Sequence, residues 1–248
     1  MKVIGIIPAR YASTRFPGKP LALIKGKTMI RRVCEQAWKS KLDAVVVATD
    51  DVRIADEVMS FGGRYVLTSP NHRSGTDRCC EALGLLDENY GAVVNIQGDE
   101  PFIDPEQINL LVDLITCDDT PLASLAKPIE DEEELFSPNT VKVVMNNEGK
   151  ALYFSRNPIP FVRNVEKEKW LEVGAFYKHI GIYAYKSEAL RKVATMPLSD
   201  LELAESLEQL RWLENGLSIR MAVTKSENVS IDTPADLDKA EHFVKIKS

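Results

Sequence analysis

Cysteine and histidine are scarce in this chain of 248 residues, with four of the first and three of the second. Cys34, Cys79, Cys80 and Cys117 form no C-x-x-C pair, and two are adjacent, so reduced thiols are expected in place of a zinc site or a disulfide framework. His72, His179 and His242 are too few for a histidine-rich metal centre. Long apolar runs are also missing. The opening MKVIGIIPAR holds one short run that ends at Pro8 and Arg10, so neither a signal peptide nor a membrane span is expected, and the protein reads as soluble and cytoplasmic. Nor is there a surplus of cations: the net charge is −6, whereas nucleic-acid readers spread excess Lys and Arg over a surface. Any polyanion must then be held locally. Repeats, low-complexity tracts and Gly/Ser linkers are absent.

With 44% apolar residues the chain can bury a sizeable core, and its length suits one domain spanning residues 1–248. Short β-branched runs at Val3–Ile7, Ala44–Ala48, Arg64–Leu67 and Ala92–Ile96 alternate with helical periodicity near Thr28–Ser40, Val52–Phe61 and Thr76–Leu86. The second of these helices reads as started by Asp50 and Asp51 and ended by Gly62-Gly63. That alternation predicts βαβ units and a mainly parallel sheet, a three-layer, Rossmann-like α/β fold flanked by helices. The second half reads as more mixed. Strands are expected at Leu122–Ala126, Val141–Met145, Ala151–Phe154, Ile180–Tyr185 and Ser218–Val223, with a long helix Leu201–Asn215 and a last helix after Pro234. The acidic run Glu130–Glu134 reads as a solvated helix face.

The first strand runs into PARYASTRFPGKP, where Arg10, Arg15 and Lys19 fall within ten residues. Open α/β sheets place ligands at the carboxyl ends of their strands, and arginine forks and a mobile lysine suit phosphate oxygens. By charge alone, the same stretch reads equally as a basic surface loop. It has no G-x-G-x-x-G, and Gly26-Lys27-Thr28 lacks the leading glycine of a P-loop because position 21 is leucine. Dehydrogenase and ATPase readings lose their support. Further on, HRSGTDR (72–78) offers Ser74 or Thr76 as a helix cap whose free N–H groups could read a carbonyl or a phosphate, or simply start a helix. NIQGDEP (95–101) ends the fourth strand in a carboxylate pair, a turn in its bland reading and a magnesium ligand in its sharper one. Asp232 in IDTPAD reads as a second ligand or as the N-cap of the last helix.

The segment IPARYASTRFPGKPL resembles the nucleotide-binding signature of the sugar nucleotidyltransferases, in the branch of the 3-deoxy-manno-octulosonate (Kdo) cytidylyltransferases. Sialic acid cytidylyltransferases carry a related loop, and Tyr11-Ala-Ser-Thr-Arg15 is what separates the two. The resemblance implies a nucleotide-diphospho-sugar transferase fold with an added mixed α/β dimerisation face, and transfer of CMP from CTP to an acidic eight-carbon sugar with release of pyrophosphate. It implies that Pro8, Ala9, Arg10, Arg15, Lys19, Ser74, Gly75, Arg78 and Gln97 bind the nucleotide. Asp99 and Asp232 would hold Mg2+, with Arg10 and Lys19 completing the catalytic set. YFSR and HIGIY match sugar-side blocks and nominate Arg156, His179 and Tyr183, while LEQLR nominates Glu208 and Gln209. Without the resemblance, His179 reads as a satisfied buried histidine, and Glu208 and Gln209 as a solvated flank beside leucines 203, 207 and 210. Residues about 150–200 would contribute to the sugar pocket and the dimer face, with Phe161–Ala175 part of a homodimer contact. Two alternatives remain: an enzyme acting on another acidic sugar or a sugar phosphate, and a CTP-sensing module without turnover.

Overall fold

The first β-branched run forms β1 (Val3–Ala9), in which Val3, Ile4, Ile6 and Ile7 are all buried. Burial on both faces is what a parallel strand covered by helices requires, and each such side chain contributes roughly 1.5–3 kcal/mol. The computed structural model describes residues 1–12, 15–117, 120–226 and 230–237. These fall into two units, one of residues 1–112 together with the chain from 227, the other of residues 113–226.

In the first unit the chain passes from β1 through a small hairpin, β2 (Leu23–Ile24) and β3 (Lys27–Thr28), into α1 (Met29–Ala37). Then come β4 (Ala44–Thr49), α2 (Val52–Ser60), β5 (Tyr65–Leu67), α3 (Gly75–Gly84), β6 (Ala92–Asn95) and α4 (Pro105–Thr116), whose last turn, from Asp113, belongs to the second unit. Pairing runs β6-β1-β4-β5 and every pair is parallel, so the carboxyl ends of these strands share one edge. Side-chain oxygens set the helix starts: Thr28, Asp51 and Ser74 accept from the N–H groups of Arg31, Arg53 and Asp77. Asp50, read from sequence as part of the start of α2, instead pairs with the buried Arg78 at 3.1 Å. Asp51, extended and one residue before the helix, is placed for its carboxylate to reach the first free N–H groups.

The second unit holds β7 (Leu122–Pro128), α5 (Glu132–Phe136), β8 (Lys142–Met145), β9 (Ala151–Ser155), α6 (Trp170–Val173) and β10 (Tyr177–Lys186). It continues with α7 (Ser187–Ala194), α8 (Asp200–Glu205), α9 (Glu208–Glu214) and β11 (Ile219–Val223). β11 pairs parallel with β7, whereas β7 with β10, β10 with β8, and β8 with β9 are antiparallel. The expected α/β class, parallel first and mixed later, is what the two units contain.

The single helix expected over Leu201–Asn215 is two helices. Ser206 takes a left-handed conformation (φ 53°) and ends α8, and a second helix, α9, starts at Glu208. The leucine stripe breaks with it: Leu207 and Leu210 are buried, but Leu203 is 62% exposed. Gln209, read as a solvated flank, is buried for the same reason. Most of the helix expected after Pro234 lies outside the described residues.

Candidate active site

At the end of β1 the chain turns through the basic loop. Gly18 (φ +72°) donates its N–H to the Tyr11 carbonyl at 2.9 Å, which brings the backbone of these two residues together. A left-handed residue is needed there, and a Cβ would also press on the Tyr11 ring at 3.1 Å. The chain then enters a short 3₁₀ turn, Lys19–Leu21, with buried Pro20 fixing the backbone just after the lysine.

Lys19 Nζ donates to Asp99 Oδ2 at 2.8 Å and to Asp232 Oδ1 at 3.4 Å, and Arg15 Nη2 donates to the same Asp232 oxygen at 3.1 Å. Two carboxylates from distant segments thus converge on one ammonium. A backbone bond makes this possible: the Ile231 N–H donates to the Asp99 carbonyl at 2.9 Å. Ile231 is fully buried in a cluster with Ile24, Met29 and Phe102, which anchors the strip that carries Asp232. The turn at 232–236 is satisfied by Asp236, whose Oδ2 accepts from the N–H groups of Asp232 and Thr233 and from the Thr233 hydroxyl at 2.9–3.2 Å. The Asp232 carboxylate itself faces the basic loop, accepting from Lys19 and Arg15.

These groups line a cleft of about 180 Å³ with Pro8, Ala9, Arg10, Gln97 and Gly98. A Cβ at Gly98 would lie 2.8 Å from the Pro8 carbonyl oxygen, so glycine lets the two strand ends approach. A second hollow shares Pro8, Ala9, Arg10 and Gln97, and its far wall is His72, Arg73, Ser74, Gly75 and Arg78. Ser74 caps α3, accepting from Asp77 N–H at 3.1 Å. Arg78 is buried, donating to Thr68 Oγ1 at 2.6 Å and to Asp50 Oδ2 at 3.1 Å, so it braces the hollow from below. His72 bonds Glu81, and that contact comes first among the influences holding the Glu81 carboxyl below its usual range, against desolvation. The structure therefore gathers all the nucleotide-side candidates into two adjoining hollows of the first unit.

The sugar-side candidates all lie in the second unit. Arg156 donates through Nε to the Glu205 carbonyl at 2.7 Å and through Nη1 to Pro138 at 3.0 Å, so its fork is engaged by backbone. His179 Nε2 lies 2.9 Å from Ser124 Oγ, and its ring meets Phe154 edge-on at 4.9 Å and Tyr183 at 5.3 Å. Desolvation by that packing pushes its pKa down to about 3, leaving a neutral imidazole. Burial raises Tyr183 well above the ordinary phenol range, with Tyr185 and then Glu208 adding to it. Glu208 accepts from Arg211 Nη2 at 2.9 Å.

Magnesium takes one or two carboxylates and fills its shell with waters and phosphate oxygens. The donor set fits, because Asp99 and Asp232 already direct an oxygen each at one cation, the Lys19 ammonium. Three features of the site escape a reading of the sequence alone: Asp50 and Thr68 as braces of Arg78, and Asp236 as the acceptor that holds the turn at 232–233. Gly98 carried a signal, a glycine where one backbone must approach another.

A Rossmann-like unit with a cationic loop and a carboxylate pair at its strand ends fits a nucleotidyltransferase, and comparison with known proteins agrees. The family model described as cytidylyltransferase matches residues 4–220, and the chain belongs to that family. Within it, the chain groups with the 3-deoxy-manno-octulosonate cytidylyltransferases. It is 54% identical to the one from Parabacteroides distasonis over 98% of both chains, and 53% identical to that of Bacteroides thetaiotaomicron over the full length of both. Among solved structures, a CMP:2-keto-3-deoxy-manno-octonic acid synthetase complexed with CTP superposes with a TM-score of 0.93 at 41% identity, covering both chains completely. A Leptospira borgpetersenii cytidylyltransferase shares the fold at 18% identity and a TM-score of 0.66, over 99% of this chain and 87% of its own.

Proposed function

We propose that the chain transfers CMP from CTP to the anomeric hydroxyl of Kdo, giving CMP-Kdo and pyrophosphate and so activating the sugar for lipopolysaccharide biosynthesis. The full-length likeness to 3-deoxy-manno-octulosonate cytidylyltransferases carries this reading. The enzyme works in the cytoplasm as a homodimer, and the whole chain serves as one nucleotidyltransferase domain whose residues about 150–200 contribute to the sugar pocket and the dimer face.

The cytosine base rests against Ser74, Gly75 and Arg78 with Pro8, Ala9 and Gln97, while Arg10, Arg15 and Lys19 take the triphosphate. Arg156, His179, Tyr183, Glu208 and Gln209 hold the sugar. Magnesium held by Asp99 and Asp232 would supply Lewis acidity that polarises the α-phosphate and makes the anomeric hydroxyl more acidic. Lys19 is near enough to the carboxylates to pair with them at rest and, on a four-carbon stem, free to follow charge onto the departing pyrophosphate. The arginine forks neutralise the phosphate oxygens as that charge builds.

The test is magnesium-dependent pyrophosphate release with each of the four nucleoside triphosphates, offered Kdo, its 8-amino analogue, sialic acid and a hexose phosphate. CTP with Kdo should give the highest kcat/KM, and Asp99→Asn should lower kcat by about 100-fold with the CTP Kd within about threefold. Preference for the sugar phosphate or for another base would overturn the substrate assignment. CTP binding without any product would favour a sensing module.

A further inference from the structure

The closed shape of the basic loop is held by a contact outside both hollows. Arg53 Cζ sits 3.4 Å from the centroid of the Tyr11 ring. Arg53 is itself fixed: Nε and Nη2 donate to the two oxygens of Asp51 at 2.9 and 2.6 Å, and Asp51 is the cap of α2. The same ring lies against Gly18, where an added Cβ would touch Cζ, Cε2 and Oη at 3.1–3.2 Å. Tyr11 also accepts the Gly18 N–H through its carbonyl. Tyr11 directly follows Arg10, and Gly18 directly precedes Lys19. Tyr11 therefore joins the two ends of the stretch that presents those cations, by its carbonyl and by its ring, and Arg53 ties that ring to a helix.

We propose that Tyr11 and Arg53 act as a positioning couple, which holds the basic loop in its phosphate-receiving shape before the nucleotide arrives. Neither residue lines the cleft or the adjoining hollow, so neither is a catalytic residue. Their effect is to reduce the ordering entropy that a free loop would lose on binding a triphosphate. Guanidinium stacking on a ring depends on the planar fork and the aromatic face, so the couple should fail when either is lost. This inference rests on the reading of Arg10, Arg15 and Lys19 as a triphosphate cradle.

Calorimetric titration of CTP into the wild type, Tyr11→Phe, Tyr11→Leu, Arg53→Ala and the Tyr11→Leu/Arg53→Ala double variant separates the outcomes. Tyr11→Phe should bind within about twofold of wild type, Arg53→Ala about fivefold more weakly and Tyr11→Leu about tenfold more weakly. The double variant should be no more than about twofold weaker than Tyr11→Leu, because both changes break one contact. Melting temperatures should stay within about 2 °C, separating positioning from stability. Near-wild-type binding by Tyr11→Leu or Arg53→Ala overturns the proposal, as does full additivity in the double variant, or a Tyr11→Phe loss as large as that of Tyr11→Leu. Wild-type protein that fails to bind CTP sinks the cradle reading and the couple together, whereas normal wild-type binding with indifferent variants sinks the couple alone.

Discussion

His179 sits partly at the surface, yet the rings of Phe154 and Tyr183 strip water from its imidazole. Its pKa in the fold is about 3, against 6.5 in an exposed chain. Well above pH 6.5 neither state is protonated and the fold loses nothing. As pH falls from about 6.5 towards 3 the unfolded chain takes up a proton that the fold refuses, so stability falls by up to about 1.4 kcal/mol per pH unit. Urea midpoints at pH 7 and pH 5 should therefore drop less in His179→Gln than in the wild type, and equal drops would remove His179 from the acid response. The sequence offered two readings of this histidine, a satisfied buried residue or a sugar contact. The hydrogen bond with Ser124 answers to the first, while the second belongs to the proposed function. Periodicity along one strand cannot foretell a partner 55 positions away.

Lys142 on β8 shows how one side chain organises an element. The residue is fully buried, and its ammonium donates to the carbonyls of Ser137, Thr140 and Arg156 at 2.8, 2.7 and 2.5 Å. Desolvation lowers its pKa, with Glu205 opposing, and the three carbonyls are what make the buried charge tolerable. Lys142→Met leaves those carbonyls without their donor and should cost about 2–4 kcal/mol, read as a lowered urea midpoint. A loss under about 1 kcal/mol would show that water replaces the ammonium freely. The strands were legible because their β-branched runs are short and bounded. Helix α4 carries a stripe of its own in the buried residues Ile108, Leu111, Val112 and Ile115, but Gln107 and Asn109 are buried beside it, and Asn109 accepts from the Lys41 N–H of another segment. The stripe marks the helix, whereas the bond to Lys41 leaves no trace in the pattern. The break at Ser206 was equally hidden, since a left-handed serine leaves no mark in the pattern of leucines.

At the scale of the whole chain, the motifs at the ends of β1 and β6 could be read directly, because cations and carboxylates at strand ends point to phosphate and metal. Their meeting with Asp232 could not, since it depends on the bond from Ile231 to Asp99 and on a buried cluster assembled from four segments. Residue 161, three-quarters exposed and packed edge-on against Trp170 at 5.3 Å, lies in the stretch assigned to the dimer contact. Sedimentation equilibrium should return twice the chain mass, and a value equal to one chain would exclude the homodimer. The bracketing of Lys19 has a broader consequence. Two of the three loop cations, Lys19 and Arg15, are already answered by Asp99 and Asp232, so the resting pocket is no indiscriminate trap for anions. A stray inorganic phosphate must dissolve existing ion pairs and offers little in exchange. A ligand that also brings a counter-charge for the two aspartates loses nothing by displacing the lysine, so internal competition becomes a filter against the commonest anions of the cell.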